Sequence, residues 1–166
     1  MKMAFILFVV ALALGAAPES EKEETLAAFK SGEIQWAEES DGRMSRLQHG
    51  DPAKEPSLAL LKIPAGTLTP PHFHTADEVA TVVSGKILIG SGEKVVEAKG
   101  KEIDASGYFV IPGGTPHWGK AQTDVVLVRY SSGPRDITYV NPGDDPVPQE
   151  AALRNRPSLE PPEDQP

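Results

Sequence analysis

Short apolar runs alternate with turn residues through the middle of the chain. Ser57–Ile63 is one such run, and it stops at Pro64-Ala65-Gly66. Residues 78–89 are rich in Val and Ile and are broken at Ser84-Gly85. Gly90-Ser91-Gly92 is a hairpin signal, with residues 94–98 as the returning strand. Tyr108–Ile111 ends at Pro112-Gly113-Gly114, and residues 125–130 end at Ser131-Ser132-Gly133-Pro134. Strands at intervals of about ten residues, bounded by turn chemistry, predict an all-β antiparallel sandwich or small barrel. Helices of about 10–15 residues do not alternate with the strands, which argues against a parallel α/β sheet.

One short helix is expected ahead of the strands, over residues 21–30. Ser20-Glu21-Lys22-Glu23 fits a capping box, and Gly32 is placed as a stop. Glu21, Glu23 and Glu24 sit near its positive end and Lys30 near its negative end. Leu26 and Phe29 would give it one modest apolar face.

The two ends of the 166-residue chain read as lying outside this fold. Residues 1–17 have the form of an export signal: Lys2, an apolar stretch over residues 4–14, then Gly15-Ala16-Ala17. The apolar stretch is shorter than the roughly 20 residues that a spanning helix needs. Pro18 disfavours a cut directly before it, so cleavage after Gly15 or Ala16 is expected. Residues 141–166 contain seven prolines and few large apolar side chains, the composition of a flexible acidic tail. The expected organisation is a signal at 1–17, a helix and lead-in at 18–56, a barrel at 57–140 and a tail at 141–166.

Composition narrows the chemistry. There is no cysteine, which excludes disulfides, thiolate metal sites and cysteine nucleophiles. An exported chain without disulfide staples fits a bacterial periplasmic protein with a good apolar core. The net charge of -8, with no basic patch, argues against a nucleic-acid partner. After signal cleavage no membrane association is expected. Any metal must be held by His, Asp, Glu or backbone, and there are only four histidines.

His72 and His74 are two apart, so an extended strand turns both to one face. Glu78 shares their parity and can join them after a short turn at Thr75-Ala76-Asp77. His117 follows a Pro- and Gly-rich loop and could complete the set if its strand lies nearby. Three imidazoles and a carboxylate suit Fe, Mn, Ni, Cu or Zn, and softness does not choose among these. Four protein ligands in a five- or six-coordinate site leave positions open, which is a catalytic layout.

These residues also carry a family resemblance. Gly66, His72-Phe73-His74, Glu78 and Gly85 resemble the first motif of the cupin superfamily, and Pro112-Gly113-Gly114-Thr115-Pro116-His117 resembles the second. Gly107 and Ala121 depart from the second pattern without removing a ligand. Gly50-Asp51-Pro52 and residues 133–146 resemble small single-domain bacterial cupins with export signals. The resemblance implies an antiparallel jelly-roll β-barrel with a metal inside it, held by His72, His74, Glu78 and His117. It also makes a homodimer the default assembly.

Other residues are weighed singly. Phe73 and Trp118 have parity opposite to their neighbouring ligands and should be structural. Ala80 and Val82 continue the parity of Glu78 and would line an apolar pocket, with Leu60, Phe109 or Tyr108, and Leu127 or Val128 as further candidates for its wall. Either Arg129 or Tyr130 faces the interior; an inward Arg129 could hold a carboxylate. His49 is expected in a loop, and Lys62 and Lys86 at the surface. Asp77 and Glu102 are candidates for acid–base work only by their closeness in sequence. The expected function is a metal-dependent enzyme acting on a small organic molecule, of dioxygenase type or of Lewis-acid lyase or isomerase type, with Glu78 as a candidate base. The alternative is a non-catalytic module that binds a metal or a small ligand.

Overall fold

The computed structural model describes residues 26–39 and 41–146. Eleven strands form two antiparallel sheets among the described residues. They are β1 Ala37–Glu38, β2 Met44–His49, β3 Ser57–Ile63, β4 Leu68–Phe73, β5 Glu78–Ser84 and β6 Lys86–Ser91, followed by β7 Lys101–Asp104, β8 Tyr108–Ile111, β9 His117–Ala121, β10 Val125–Ser131 and β11 Thr138–Tyr139. One sheet has the order β1-β2-β3-β10-β5-β8 and the other β11-β4-β9-β6-β7. This is the expected all-β jelly roll, but as two separate sheets and not a closed barrel.

The alternation of burial explains the first sheet. In β3, Ser57, Ala59, Leu61 and Ile63 are buried, and the residues between them are only half covered. β10 and β5 run antiparallel in register, so Leu127 lies between Leu61 and Val82. Ile87, Ile103 and Ala121 of the second sheet meet these side chains and close one apolar core. The chain passes from the first sheet to the second at Gly85. Its φ of +85° suits glycine, and a Cβ there would collide with the Asp124 carbonyl oxygen.

The interior is polar at its other end. Ser57, His72, His74, Glu78, His117 and Ser131 are all buried there. The register Ser57–Ser131–Glu78 forms one row across three strands, opposite the row Ile63–Val125.

Four expectations are corrected. The proposed helix over residues 21–30 begins outside the described residues, and its described part, 26–30, is not helical; a single 3-10 turn follows at Ser31–Glu33. The strand returning from Gly90-Ser91-Gly92 is not 94–98 but β7, after a 3-10 turn at Glu97–Lys99. Val95 and Val96 are adjacent, so they offer no alternating face, whereas Ile103 of β7 is buried against the core. The lead-in before residue 57 supplies β1 and β2, and β2 pairs with β3. His49 ends β2 and is exposed, so it is a strand residue and not a loop residue. The proposed signal at 1–17 lies outside the described residues. Of the proposed tail, residues 141–146 are described and contain a 3-10 turn at Pro142–Asp144.

Candidate metal centre

Three elements bring the histidines together. His72 of β4 is the cross-strand partner of His117 of β9, and His74 lies just beyond the end of β4. One ring nitrogen from each of the three lies within 4.8 Å of the others. The rings are tilted, with centroids 4.2 to 5.3 Å apart, so they converge without stacking face to face.

Each ring is fixed by a backbone carbonyl. His72 Nδ1 is 2.8 Å from Pro70 O, His117 Nδ1 is 2.9 Å from Thr115 O, and His74 Nδ1 bonds Asp136 O. A carbonyl only accepts, so each Nδ1 carries the proton and each Nε2 presents a lone pair. Pro70-Pro71-His72 and Thr115-Pro116-His117 repeat one local device: the accepting carbonyl lies two residues before the histidine, with a proline between. Proline holds the preceding residue extended and donates nothing to the ladder. The β4–β9 ladder is irregular between Thr69 and His72, where the two prolines stand. This X-Pro-His signal is visible twice in the sequence, at Pro70-Pro71-His72 and Thr115-Pro116-His117.

Two loops are clamped to the turn that follows His74. Gly114 N–H donates to His74 O (2.7 Å) and Gly113 N–H to Asp77 Oδ1 (2.7 Å). A Cβ on Gly113 would collide with the Thr75 carbonyl oxygen, so the approach requires glycine. Asp136 Oδ1 accepts from Thr75 N (2.9 Å) and from Thr75 Oγ1 (3.1 Å), which holds the carbonyl that orients His74. Asp77 is thus a loop anchor.

Burial is the largest influence on all three imidazoles and favours their neutral forms. His72 is pushed down to about 3, with repulsion from His117 adding to burial. His74 is pushed down to about 4, with Arg135 as the next cause, and His117 is also lowered. Burial alone would raise the Glu78 carboxyl, but Arg129 and Arg135 outweigh it and hold Glu78 below the usual range. Burial, and then repulsion from Arg135, lowers Arg129 to about 9.

Glu78 stands beside the triad, with Oε2 3.3 Å from His74 Nε2. Neither atom has a hydrogen-bond partner among the described residues. Two buried acceptors this close, with no proton between them, suit a shared cation. Three neutral, carbonyl-anchored imidazoles that converge in this way are placed to hold a transition-metal ion, with a carboxylate beside them. Arg129 Nε and Arg135 Nε lie 3.9 and 3.7 Å from the same Oε2, too far for hydrogen bonds.

The remaining residues fall into place. Arg129, and not Tyr130, faces the interior; Tyr130 is 41% exposed. Phe109 and Leu127 face the core, while Leu60, Tyr108 and Val128 do not. Ala80 and Val82 are packed core residues. Trp118 is 1% exposed and packs over Gly90 and Gly100, on the side of β9 away from His117. Glu102 pairs with the exposed Lys86 at 3.0 Å. Lys62 is half-buried, with its ammonium 4.0 Å from the centre of the Trp36 ring, and so is not simply exposed.

Sequence reasoning missed Arg135 and Tyr139 as neighbours of the site. Tyr139 is the β11 partner of His72, with ring centroids 5.8 Å apart, and Arg43 lies close enough to act on its phenol. Arg135 N–H donates to Pro52 O (2.7 Å), which joins the Gly50-Asp51-Pro52 segment to the stretch after β10. That both segments stood out in the sequence was the available signal.

Comparison with known proteins agrees with this architecture. A family model described as Cupin matches residues 45–141. A search of curated proteins finds no match. Among solved structures, KdgF from Halomonas sp. is similar at 22% identity and a TM-score of 0.53, over 66% of this chain and 96% of that one. An RmlC-like cupin from Shewanella frigidimarina NCIMB 400 is 16% identical with a TM-score of 0.55, over 66% and 92%. A conserved protein of unknown function from Streptococcus pyogenes is 18% identical with a TM-score of 0.51, over 68% and 92%. At these identities the likeness is one of fold.

Proposed function

Because the chain belongs to the cupin family, we propose that His72, His74, His117 and Glu78 hold one divalent transition metal, at which the protein transforms a small organic molecule. The observation that carries this reading is the buried set of carbonyl-anchored imidazoles converging beside the Glu78 oxygen. Fe, Mn, Ni, Cu and Zn all suit these donors. When bound, the metal supplies a Lewis acid, and iron or copper adds dioxygen chemistry.

The chain's own residues do the rest. The carbonyls of Pro70, Thr115 and Asp136 hold each imidazole in one tautomer and orientation. Arg129 and Arg135 keep Glu78 ionised, which makes it a weak proton acceptor and favours its role as a ligand over its role as a base. Protein purified from its native compartment without a histidine tag should contain stoichiometric metal by elemental analysis. Replacing His72 and His74 together by alanine should abolish it; unchanged metal content would refute the site. Iron or copper with oxygen uptake supports the dioxygenase type, and zinc or nickel without uptake supports the Lewis-acid type.

Export to the bacterial periplasm belongs to the same proposal and rests on residues 1–17. N-terminal sequencing of the mature protein should begin at Ala16 or Ala17. An intact Met1 would overturn it.

A further inference from the structure

The turn between His74 and Glu78 lies where three strands end. Glu78 opens β5, and its cross-strand partners are Ile111, which ends β8, and Ser131, which ends β10. Asp77 stands one step beyond that row. Toward β10 the pairing continues: Ser132 N–H donates to Asp77 O (3.0 Å) and Asp77 N–H to Ser132 Oγ (3.1 Å). Toward β8 the next residue is Pro112, which has no N–H to give. The first N–H after that proline belongs to Gly113, and it donates to the Asp77 side chain at Oδ1 (2.7 Å). The carboxylate thus ties two strand ends together beyond their last backbone pair.

This bond holds the turn that leads to His117. Thr115 N–H donates to Pro112 O (3.1 Å) and closes residues 112–115, with Gly114 at a φ of +75°. Thr115 O then anchors His117 Nδ1. A run of contacts therefore leads from Asp77 through Gly113 and Thr115 to the imidazole of His117. The other end of the run is fixed. Ser132 grips the Asp77 backbone from both sides, and Asp136 holds Thr75 at the start of the same turn. Asp77 itself is exposed, so it fills no space in the core.

We infer that Asp77 is a positioning residue for the metal centre: its carboxylate, as a hydrogen-bond acceptor, sets where His117 stands relative to His74 and Glu78. The inference rests on the metal-centre reading. It requires an acceptor oxygen at this position and not a negative charge, and the asparagine amide also offers one.

The test loads the full chain with copper(II) alone and measures affinity by chelator competition and the coordinated nitrogens by electron paramagnetic resonance. The wild type should show a nitrogen from each of the three histidines. Asp77→Ala should bind copper about tenfold or more weakly and show fewer nitrogens, because His117 is no longer held in place. Asp77→Asn should bind more tightly than the alanine variant and regain the wild-type spectrum. Amide exchange on the metal-free protein gives a reading even if the alanine variant fails to fold: the Gly113 N–H should be protected in the wild type and in Asp77→Asn. A wild-type spectrum and affinity in Asp77→Ala, equal losses in the alanine and asparagine variants, or an unprotected Gly113 N–H in the wild type would each overturn the role given to Asp77. Wild-type protein that takes up no copper would instead refute the metal centre itself.

Discussion

His72, His74 and His117 owe their geometry to three carbonyls, and one of these is distant in sequence. Asp136 lies 62 residues after His74, and its side chain is tied to Thr75. Asp136→Ala should therefore weaken metal binding without touching a ligand, by roughly tenfold or more in a chelator-competition titration. Unchanged affinity would mean that the backbone alone fixes the carbonyl. The ligands were legible because they sit at fixed spacings that strand parity turns into a shared face. The direction of Arg129 was not, since residues 129 and 130 face oppositely and both suit a strand end. Arg135, Asp136 and Tyr139 were illegible as site residues because loop packing, and no local period, places them.

At the level of elements, the strands bounded by Pro and Gly were readable, and weakly patterned ones were not. Residues 94–98 looked like a strand by composition, but β7 wins because Ile103 can reach the core. A helix as short as that expected over 21–30 is marginal without tertiary packing, and Leu26 is 95% exposed. The β1–β2 hairpin, absent from the sequence reading, is tied by Arg43 to Asp41. Burial would raise Asp41, but its hydrogen bond to and attraction by Arg43 hold it below 3.8. The unfolded chain then binds the proton more readily, so this pair stabilises the fold above pH 3.8 and the contribution is lost as pH falls through the lowered value. Asp41→Asn should accordingly lower the urea midpoint at neutral pH, with the difference from wild type shrinking as pH falls below 3.8. A constant difference would show that charge is not the cause.

Across the whole molecule, the two faces of the first sheet differ. Val83, Tyr108, Val110 and Tyr130 stand exposed on its outer side, on β5, β8 and β10. The homodimer expected from the family resemblance would cover such a face. Light scattering should give twice the monomer mass, and Val110→Lys should reduce it to the monomer; a monomeric wild type would end that expectation. No described helix is long and apolar enough to cross a membrane.

The long reach from His74 to Asp136 also sets an order of events in the life of the chain. A polypeptide still emerging from the ribosome cannot orient His74 until residue 136 has followed it out. If the chain leaves the cytoplasm unfolded, as its first 17 residues suggest, no finished site exists on the cytoplasmic side. The metal it acquires would then be drawn from the pool of the compartment in which it folds, whatever the cytoplasm holds in greater supply.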